Sequence, residues 1–578
     1  MTVSPDRQRY AEGEVPTPVF ERAQCAIGDS LLIFFGGMLV FTFALSPELV
    51  GLQVRFGLFA QEMLRQGPTF FPTTYHSPYP DYPATSTLLI YLASLPIGQV
   101  TPLTAVFPTA AVSSLILVVT YRIGAMRSRT RGLAAVLLAL LTVEFLSASR
   151  SIAIDQYTSL ATVLSFYIVY SADDLNRRTR LWLLAPIWIF GFAFRGPIGL
   201  VLPAAVACSY YLWHQRWRPL ALAAMSAAIT LGVCLAGLLA AAKMEGGEAF
   251  AQTVLQAQMT GRMRGSGAPT IYYWYDCFTS YALAYPLAVV LVVGRAKEIL
   301  QRSSEDDALL GSLAAWTLVV LAVMSIPAAK KTRYVLSIVP AISLMASYLL
   351  VEMSPRLILS RIRRLFLDLC LSLPAGMAVT VLAAFLFVKW TEPAWTAHFF
   401  STLAVLVLLA VLSVKSHRRG MDDPTSVLAS LAIAVAAFIA AYIGIFDPIH
   451  WSQEQTRPFV SQVEALCEKD PGTLVFFRVD PDGDGIKFMV NLSQPLPIRF
   501  LDSLDELREL PGMPYIVMKD QVFRTLPTGG TKQMTVIGRG KIGHRDFVIL
   551  TLEKEAQEQT NGKDSPPGRG LPQAMCFA

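Results

Sequence analysis

Runs of apolar residues about 20 long recur along the chain, and that is the length a helix needs to cross the hydrocarbon core of a bilayer. The first lies at 27 to 47, and later ones centre near 113, 140, 163, 188, 205, 230, 284, 318, 342, 378, 405 and 436, thirteen in all. With 53% hydrophobic and 16% charged residues, the composition fits a polytopic membrane protein and excludes an ordinary soluble domain as the main body. The first run lacks a small-x-small cleavage site, so it reads as a retained span. A shorter apolar piece, Leu88 to Ile97, reads as interfacial or re-entrant.

The formal net charge of +6 follows the membrane rather than a nucleic acid. No extended Lys/Arg tract or zinc pattern is present, and basic residues beside spans set orientation or meet anionic lipid. With residues 1–26 in the cytoplasm, the inner connections collect Arg122, Arg127, Arg129 and Arg131; Arg177, Arg178 and Arg180; Arg216 and Arg218; Arg295, Lys297 and Arg302; and later clusters near 361 and 418. An odd number of spans then puts everything after about 447 outside. Seven cysteines without paired short spacings indicate neither a disulfide framework nor a metal site.

The outer connections hold the residues that a membrane anchor does not need. The loop from Ser46 to Thr85 carries Glu48, Arg55, Glu62, Asp81 and Tyr82 among many aromatics and prolines, with Phe56, Phe59, Met63 and Leu64 on one face of a short helix expected on the membrane surface. Ser325 to Tyr334 places Lys330, Lys331, Arg333 and Tyr334 at an outer interface, against the inside bias. Such a group suits a phosphate or diphosphate; the plainer reading is snorkelling to the membrane surface. Asp155 sits at the outer end of two apolar runs and faces either a polar cavity or a structural partner in Arg150. Arg195-Gly196-Pro197 interrupts a long apolar stretch as a tight outer turn, with Arg195 fixing the turn or meeting a ligand. Tyr273 and Tyr275 belong to an interfacial aromatic belt or to a stacking platform for a sugar or prenyl chain.

From about 448 to 555 the composition becomes that of a soluble α/β domain. Strand-like runs lie at 473–479, 486–490, 497–501, 515–518 and 547–552, and helix-like stretches at 457–468 and 502–510. Asp480 to Gly485 opens with calcium-loop spacing, but position twelve is Asn491, so a hairpin turn is expected. The tail from 556 to 578 has a disordered composition.

Taken in order, these pieces resemble the GT-C membrane glycosyltransferases, in particular the ArnT-like aminoarabinose transferases and the protein O-mannosyltransferases. The resemblance rests on four stretches. They are Arg55-Phe56 through Gly67, Ser149 to Asp155, the Arg195-Gly196-Pro197 turn where a Lys-Gly-Pro is usual, and the Ser325, Lys330, Tyr334 spacing. The family's acidic pair before the first-loop helix falls on Leu52 and Gln53, leaving Glu48 as the nearest carboxylate, and Tyr82 stands where a lysine is usual.

The resemblance implies a transmembrane domain over 27–447, an extracytoplasmic domain over 448–555, and an inner-membrane location. It implies inverting transfer of a sugar from a polyprenyl-phosphate donor to a lipid, glycan or protein acceptor. Glu48 and Asp155 are then the expected proton acceptors, Arg55, Arg195, Lys330, Lys331, Arg333 and Tyr334 the donor-phosphate site, and Asp81, Tyr82, Tyr273 and Tyr275 the substrate lining. Expected partners are the donor, the acceptor and membrane lipids, without nucleic acid, and a divalent metal is left open. A lipid or sugar transporter, or an inactive relative that only binds, are the alternatives.

Overall fold

The computed structural model describes residues 19–49, 54–74, 77–80, 83–260, 268–352, 356–387, 393–417, 423–453, 456–469, 472–494, 496–508, 514–526 and 534–552. Leu52, Gln53, Asp81, Tyr82 and the tail expected to be disordered lie outside these residues. The chain divides into two compact units. One comprises residues 1–457 with 486–491, and the other 458–485 with 492–578.

The first unit is helical, and every one of the thirteen expected positions falls in a helix. These are α1 (Val19–Thr42), α4 (Pro102–Ala125), α5 (Arg129–Leu140) with α6 (Val143–Ser149), α7 (Asp155–Asp174), α8 (Leu184–Arg195), α9 (Pro197–Trp213) and α10 (Trp217–Leu255). They continue with α11 (Tyr272–Ser280) and α12 (Ala284–Gly294), α14 (Glu305–Ser325), α15 (Val339–Val351), α16 (Leu357–Phe387), α17 (Pro393–His417) and α18 (Pro424–Ala441). Among the described residues, seven helices are long and apolar enough to cross a membrane, or nine when the bent pairs α5/α6 (77°) and α11/α12 (117°) each count as one. The protein is thus a multi-pass membrane protein. Short helices complete the unit, namely α2 (Arg55–Gln66), α3 (Thr85–Ser94), α13 (Ala296–Gln301) and α19 (Asp447–Gln453). At ten residues, α3 is about 15 Å long and cannot span a bilayer.

Local sequence sets the helix ends. Thr101 closes a capping box with Thr104 ahead of Pro102, which starts α4. Ser304 accepts the Asp307 N–H at 3.1 Å, and Glu305, Asp306 and Asp307 place negative charge at the positive end of α14. Helices α8 and α9 cross where a Cβ on Gly191 would lie 2.0 Å from the Gly199 carbonyl oxygen, so only glycines allow the contact. The two helices are joined at Gly196, whose φ of +62° is left-handed, with Pro197 opening α9.

α2 is amphipathic as expected, but its apolar face is turned into the protein rather than left free for a membrane surface. Phe56, Leu58, Phe59 and Met63 are all buried, and its residues pack with Leu49, Ile154 and Val490 inside the protein. Two weak strands, β1 (Thr73–Thr74) and β2 (Ser77–Pro78), pair antiparallel in the same loop.

The second unit is an α/β domain. Helices α20 (Arg457–Lys469), α22 (Leu504–Arg508) and α23 (Asp520–Thr525) accompany a five-stranded sheet in the order β4 (Ile498–Leu501), β3 (Leu474–Phe477), β5 (Tyr515–Lys519), β7 (Arg545–Leu552), β6 (Met534–Ile542). β3 runs parallel to β4 and β5, while β7 pairs antiparallel with β5 and β6. Two expectations are corrected. Residues 486–490, read as a strand, form the short helix α21 (Ile486–Met489) and belong to the first unit, where Gln61 donates to the Val490 carbonyl at 2.9 Å. Asp480 to Gly485 is not a hairpin turn: Pro481–Gly485 is a wide helical turn, and the Asp480 carboxylate accepts the Asp482 N–H at 3.1 Å.

Candidate functional site

The site is built at the shared end of α7, α8 and α14. Asp155 opens α7, Arg195 closes α8, and Ser325 closes α14 before a loop that enters a 3-10 turn at Thr332–Ile338. One carboxylate gathers two arginines there. Asp155 Oδ1 is paired with Arg195, and its Oδ2 lies 3.2 Å from Arg333 Nε. Asp155 and Arg195 are only 4% and 5% exposed. Burying charge costs several kcal/mol per ion, and the opposite charges in contact here offset part of that cost. The Arg150 alternative does not occur. Arg150 instead binds Asp447 at 2.8 Å and the carbonyls of Val40, Phe43 and Ala44, closing the C-terminal end of α1.

Tyr334 carries both arginines on its ring. The Arg195 guanidinium lies 4.7 Å from the ring centroid and that of Arg333 5.9 Å. Beside the pair, Tyr157 of α7 stacks on Phe194 of α8 at 4.1 Å, which locks the two helices next to the charges.

The loop before Tyr334 is held by three tyrosines of the α11 region. The Tyr273 hydroxyl bridges the Lys331 N–H (3.2 Å) and the Lys331 carbonyl (3.3 Å), and Tyr281 donates to the Thr332 carbonyl at 2.8 Å. Tyr272 is 3.4 Å from the Thr332 hydroxyl. Tyr273 is fully buried, so it positions the loop rather than offering a stacking face, whereas Tyr275 is exposed. Lys330 donates to the carbonyls of Ser325 (3.1 Å) and Pro327 (2.7 Å), which caps α14. Lys331 is the lysine left with an exposed side chain. Partial burial of its stem, then Arg333, Arg55 and Arg195, hold its ammonium below the ordinary lysine range. Four cations therefore act on one another here. Arg55 also donates to the Tyr79 hydroxyl at 2.9 Å and lies over the Phe56 and Tyr79 rings.

Glu48 has a different position from the one expected of a proton acceptor. Its carboxylate receives the backbone N–H groups of Thr456 (3.2 Å) and Arg457 (2.7 Å) and is 8% exposed.

Sequence reasoning missed two residues. Glu144, in the first turn of α6, lies within electrostatic range of Arg333 and Asp276 and forms no hydrogen bond or ion pair among the described residues. A single carboxylate inside an apolar run was the signal for it. Gln258, in the π-helical turn that ends α10, is 6% exposed with neither amide atom hydrogen-bonded. It stands so close to Gly196 that a Cβ there would be 2.4 Å from its Oε1. No group of three His, Cys, Asp or Glu residues that could hold a metal occurs among the described residues.

Comparison with known proteins follows this geometry. The family described as dolichyl-phosphate-mannose-protein mannosyltransferase matches residues 83–241. Two relatives bear the name undecaprenyl phosphate-alpha-4-amino-4-deoxy-L-arabinose arabinosyl transferase. That of Pseudomonas paraeruginosa (strain DSM 24068 / PA7) is 26% identical over 259 residues, and that of Pseudomonas aeruginosa (strain UCBPP-PA14) 27% identical over 263. Each match covers 44% of this chain and 45% of the relative, so the chain spans less than half the length of either. Over nearly its whole length the chain superposes on the crystal structure of ArnT from Cupriavidus metallidurans bound to undecaprenyl phosphate, with a TM-score of 0.66 and 15% identity, covering 92% of this chain and 98% of ArnT. The apo form gives the same TM-score at 14% identity. The chain therefore shares the fold of that ArnT structure.

Proposed function

We propose that this protein is a membrane glycosyltransferase that takes a sugar from a polyprenyl-phosphate donor and passes it to an acceptor on the extracytoplasmic face. The observation that carries the reading is the Arg195, Asp155, Arg333 cluster with Lys331 beside it, at the shared end of α7, α8 and α14. The names of the relatives support the donor class, and the mannosyltransferase match is consistent with it.

In the proposed step an acceptor oxygen attacks the anomeric carbon from the face opposite the phosphate, as the carbon–oxygen bond to the phosphate breaks. The configuration inverts, and the polyprenyl phosphate leaves with the bonding pair. Arg333, Arg195 and Lys331 stabilise the charge gathering on that phosphate, while Asp155 holds the two guanidiniums in place. Lys330 and Tyr273 shape the loop, and Arg55 with Tyr79 forms a second wall. A hydroxyl acceptor must lose a proton. Asp155 already serves two arginines and Glu48 two backbone donors, so Glu144 is the carboxylate we assign to receive it. The acceptor is a lipid, glycan or protein, and the location is a bacterial inner membrane with residues 448–555 outside it.

The test is turnover of a labelled polyprenyl-phosphate sugar by the purified full chain, with a membrane extract as acceptor source. Transfer of label that Arg333→Met lowers by roughly 10²-fold or more is expected. No turnover, with donor binding unaltered in Arg333→Met, overturns the reading. Donor binding without turnover would instead favour the inactive-relative reading, which the engagement of both Glu48 and Asp155 motivates. In intact cells, Thr332→Cys should be labelled by an impermeant thiol reagent from outside; labelling only after lysis overturns the orientation.

A further inference from the structure

A second site lies at the other end of α7, roughly 27 Å from Asp155 at 1.5 Å per residue. Here the 3-10 turn Arg178–Leu183, the start of α8, the end of α9 and the start of α10 enclose a cleft of about 810 Å³. That volume is within the roughly 300 to 1,000 Å³ of small-ligand sites.

Its walls are apolar, from Leu184, Leu222 and Ala223, with Trp188 as a buried floor. Trp182 and Trp217 stand at its mouth, 86% and 64% exposed. Indoles left out of the core at a helix end are what a membrane-water boundary selects. The rim is basic. Arg178, Arg216 and Arg218 line it, and Asp173 is the acidic residue among them. That carboxylate is already committed, to Arg216 at 2.5 Å and to the Tyr210 hydroxyl at 2.8 Å. Arg178 and Arg218 are therefore left without an acidic partner among the described residues.

We infer that this cleft binds an anionic glycerophospholipid, with its phosphate between Arg178 and Arg218 and an acyl chain against Leu184 and Leu222. Apolar walls below two uncompensated guanidiniums match a molecule that is charged at one end and hydrocarbon at the other. A free anion would use the rim and leave the walls wet. Two arginines near a membrane surface give a preference for anionic over zwitterionic lipid on the order of tenfold.

The test uses the full chain in nanodiscs of phosphatidylcholine that contain, at equal mole fraction, either acyl-brominated phosphatidylglycerol or acyl-brominated phosphatidylcholine. Tryptophan fluorescence should be quenched more strongly by the brominated phosphatidylglycerol. The excess should vanish in Arg178→Gln/Arg218→Gln and in Trp182→Phe/Trp217→Phe, both eluting as wild type in size exclusion. Equal quenching by the two lipids overturns the site. An excess that survives the arginine double variant does so too, and displacement of the excess by inorganic phosphate overturns the lipid in favour of a free anion. The readout does not depend on sugar transfer, so its failure is separate from any failure of the proposed activity.

Discussion

Both ends of the helical unit are rich in arginine, yet they use it differently. At the starts of α5 and α14, arginines meet acids one for one or better. Arg129 binds Asp29 at 2.7 Å, Arg131 binds Asp306 at 2.8 Å and Glu352 at 2.6 Å, Arg295 binds Asp307 at 2.7 Å, and Arg127 meets Glu305. Two of these partners face solvent, Glu305 at 79% and Glu352 at 44% exposed. At the Asp155 end a single buried carboxylate serves two arginines, and Lys331 lies in the field of three. Exposed pairs are individually weak and tie helices together at little cost, whereas a buried cationic excess is expensive. The difference teaches that the paired arginines at the starts of α5 and α14 are arranged for stability and the Asp155 cluster for an anion.

Removing the counter-ion should break this contrast most sharply. Asp155→Asn leaves Arg195 and Arg333 facing each other in a dry site and should destabilise the detergent-solubilised protein by about 3–5 kcal/mol in thermal or chemical unfolding. A loss under 1 kcal/mol would mean that water already reaches the cluster. On activity, Arg333→Met should lower turnover by roughly 10²- to 10³-fold at saturating acceptor, the cost of losing one charge-stabilising donor.

Glu144→Gln should cost about 10²-fold or more in kcat with a hydroxyl acceptor, whereas Glu48→Gln should act mainly on stability, by about 1–3 kcal/mol. If Glu48→Gln gives the kinetic defect and Glu144→Gln does not, the assignment of the proton acceptor is reversed. The pH response tests Lys331. Its pKa lies below the ordinary lysine value, so its positive charge is complete in mildly acidic solution and is lost as pH rises through that lowered value. Donor KM should therefore rise with pH below the usual lysine range, and Lys331→Arg should flatten the profile. Without ligand the sign is opposite for folding: the unfolded chain binds the proton more tightly, so this group's contribution to stability grows as pH rises through the same window. The smallest effect is expected at the other end, where Glu305→Gln should change stability by about 0.2–1 kcal/mol.

Much of the helical plan was legible, because apolar runs long enough to bury a helix in lipid leave a strong one-dimensional signal. The sheet was less so. The strands near 474, 498, 515 and 547 are apolar runs, but β6 alternates mostly between half-buried and exposed residues and places Gly538 and Gly540 on its more buried face, which hides the alternation from the sequence. Residues 486–490 read as a strand because their apolar run is too short for periodicity to separate strand from helix. In the site, Asp155, Arg195 and Arg333 were legible as charges where lipid should exclude them, with Tyr334 next to Arg333 in the chain. Glu48 and Lys330 carried the same signal, yet their partners are backbone groups, which sequence does not display.

The sequence by itself determined that this chain fills a membrane with helices, which ends of those helices carry charge, and that the second unit mixes strands and helices. Those are properties of composition and spacing. Only the tertiary structure decided which charges neutralise one another: that Asp155 takes Arg195 and Arg333 rather than Arg150, that Lys330 caps a helix while Lys331 remains exposed, and that Glu48 anchors the backbone at 456–457. The reason is physical. A buried charge is stabilised by whatever atom lies within about 3 Å of it, and across hundreds of residues of separation that neighbour is set by packing, not by order along the chain.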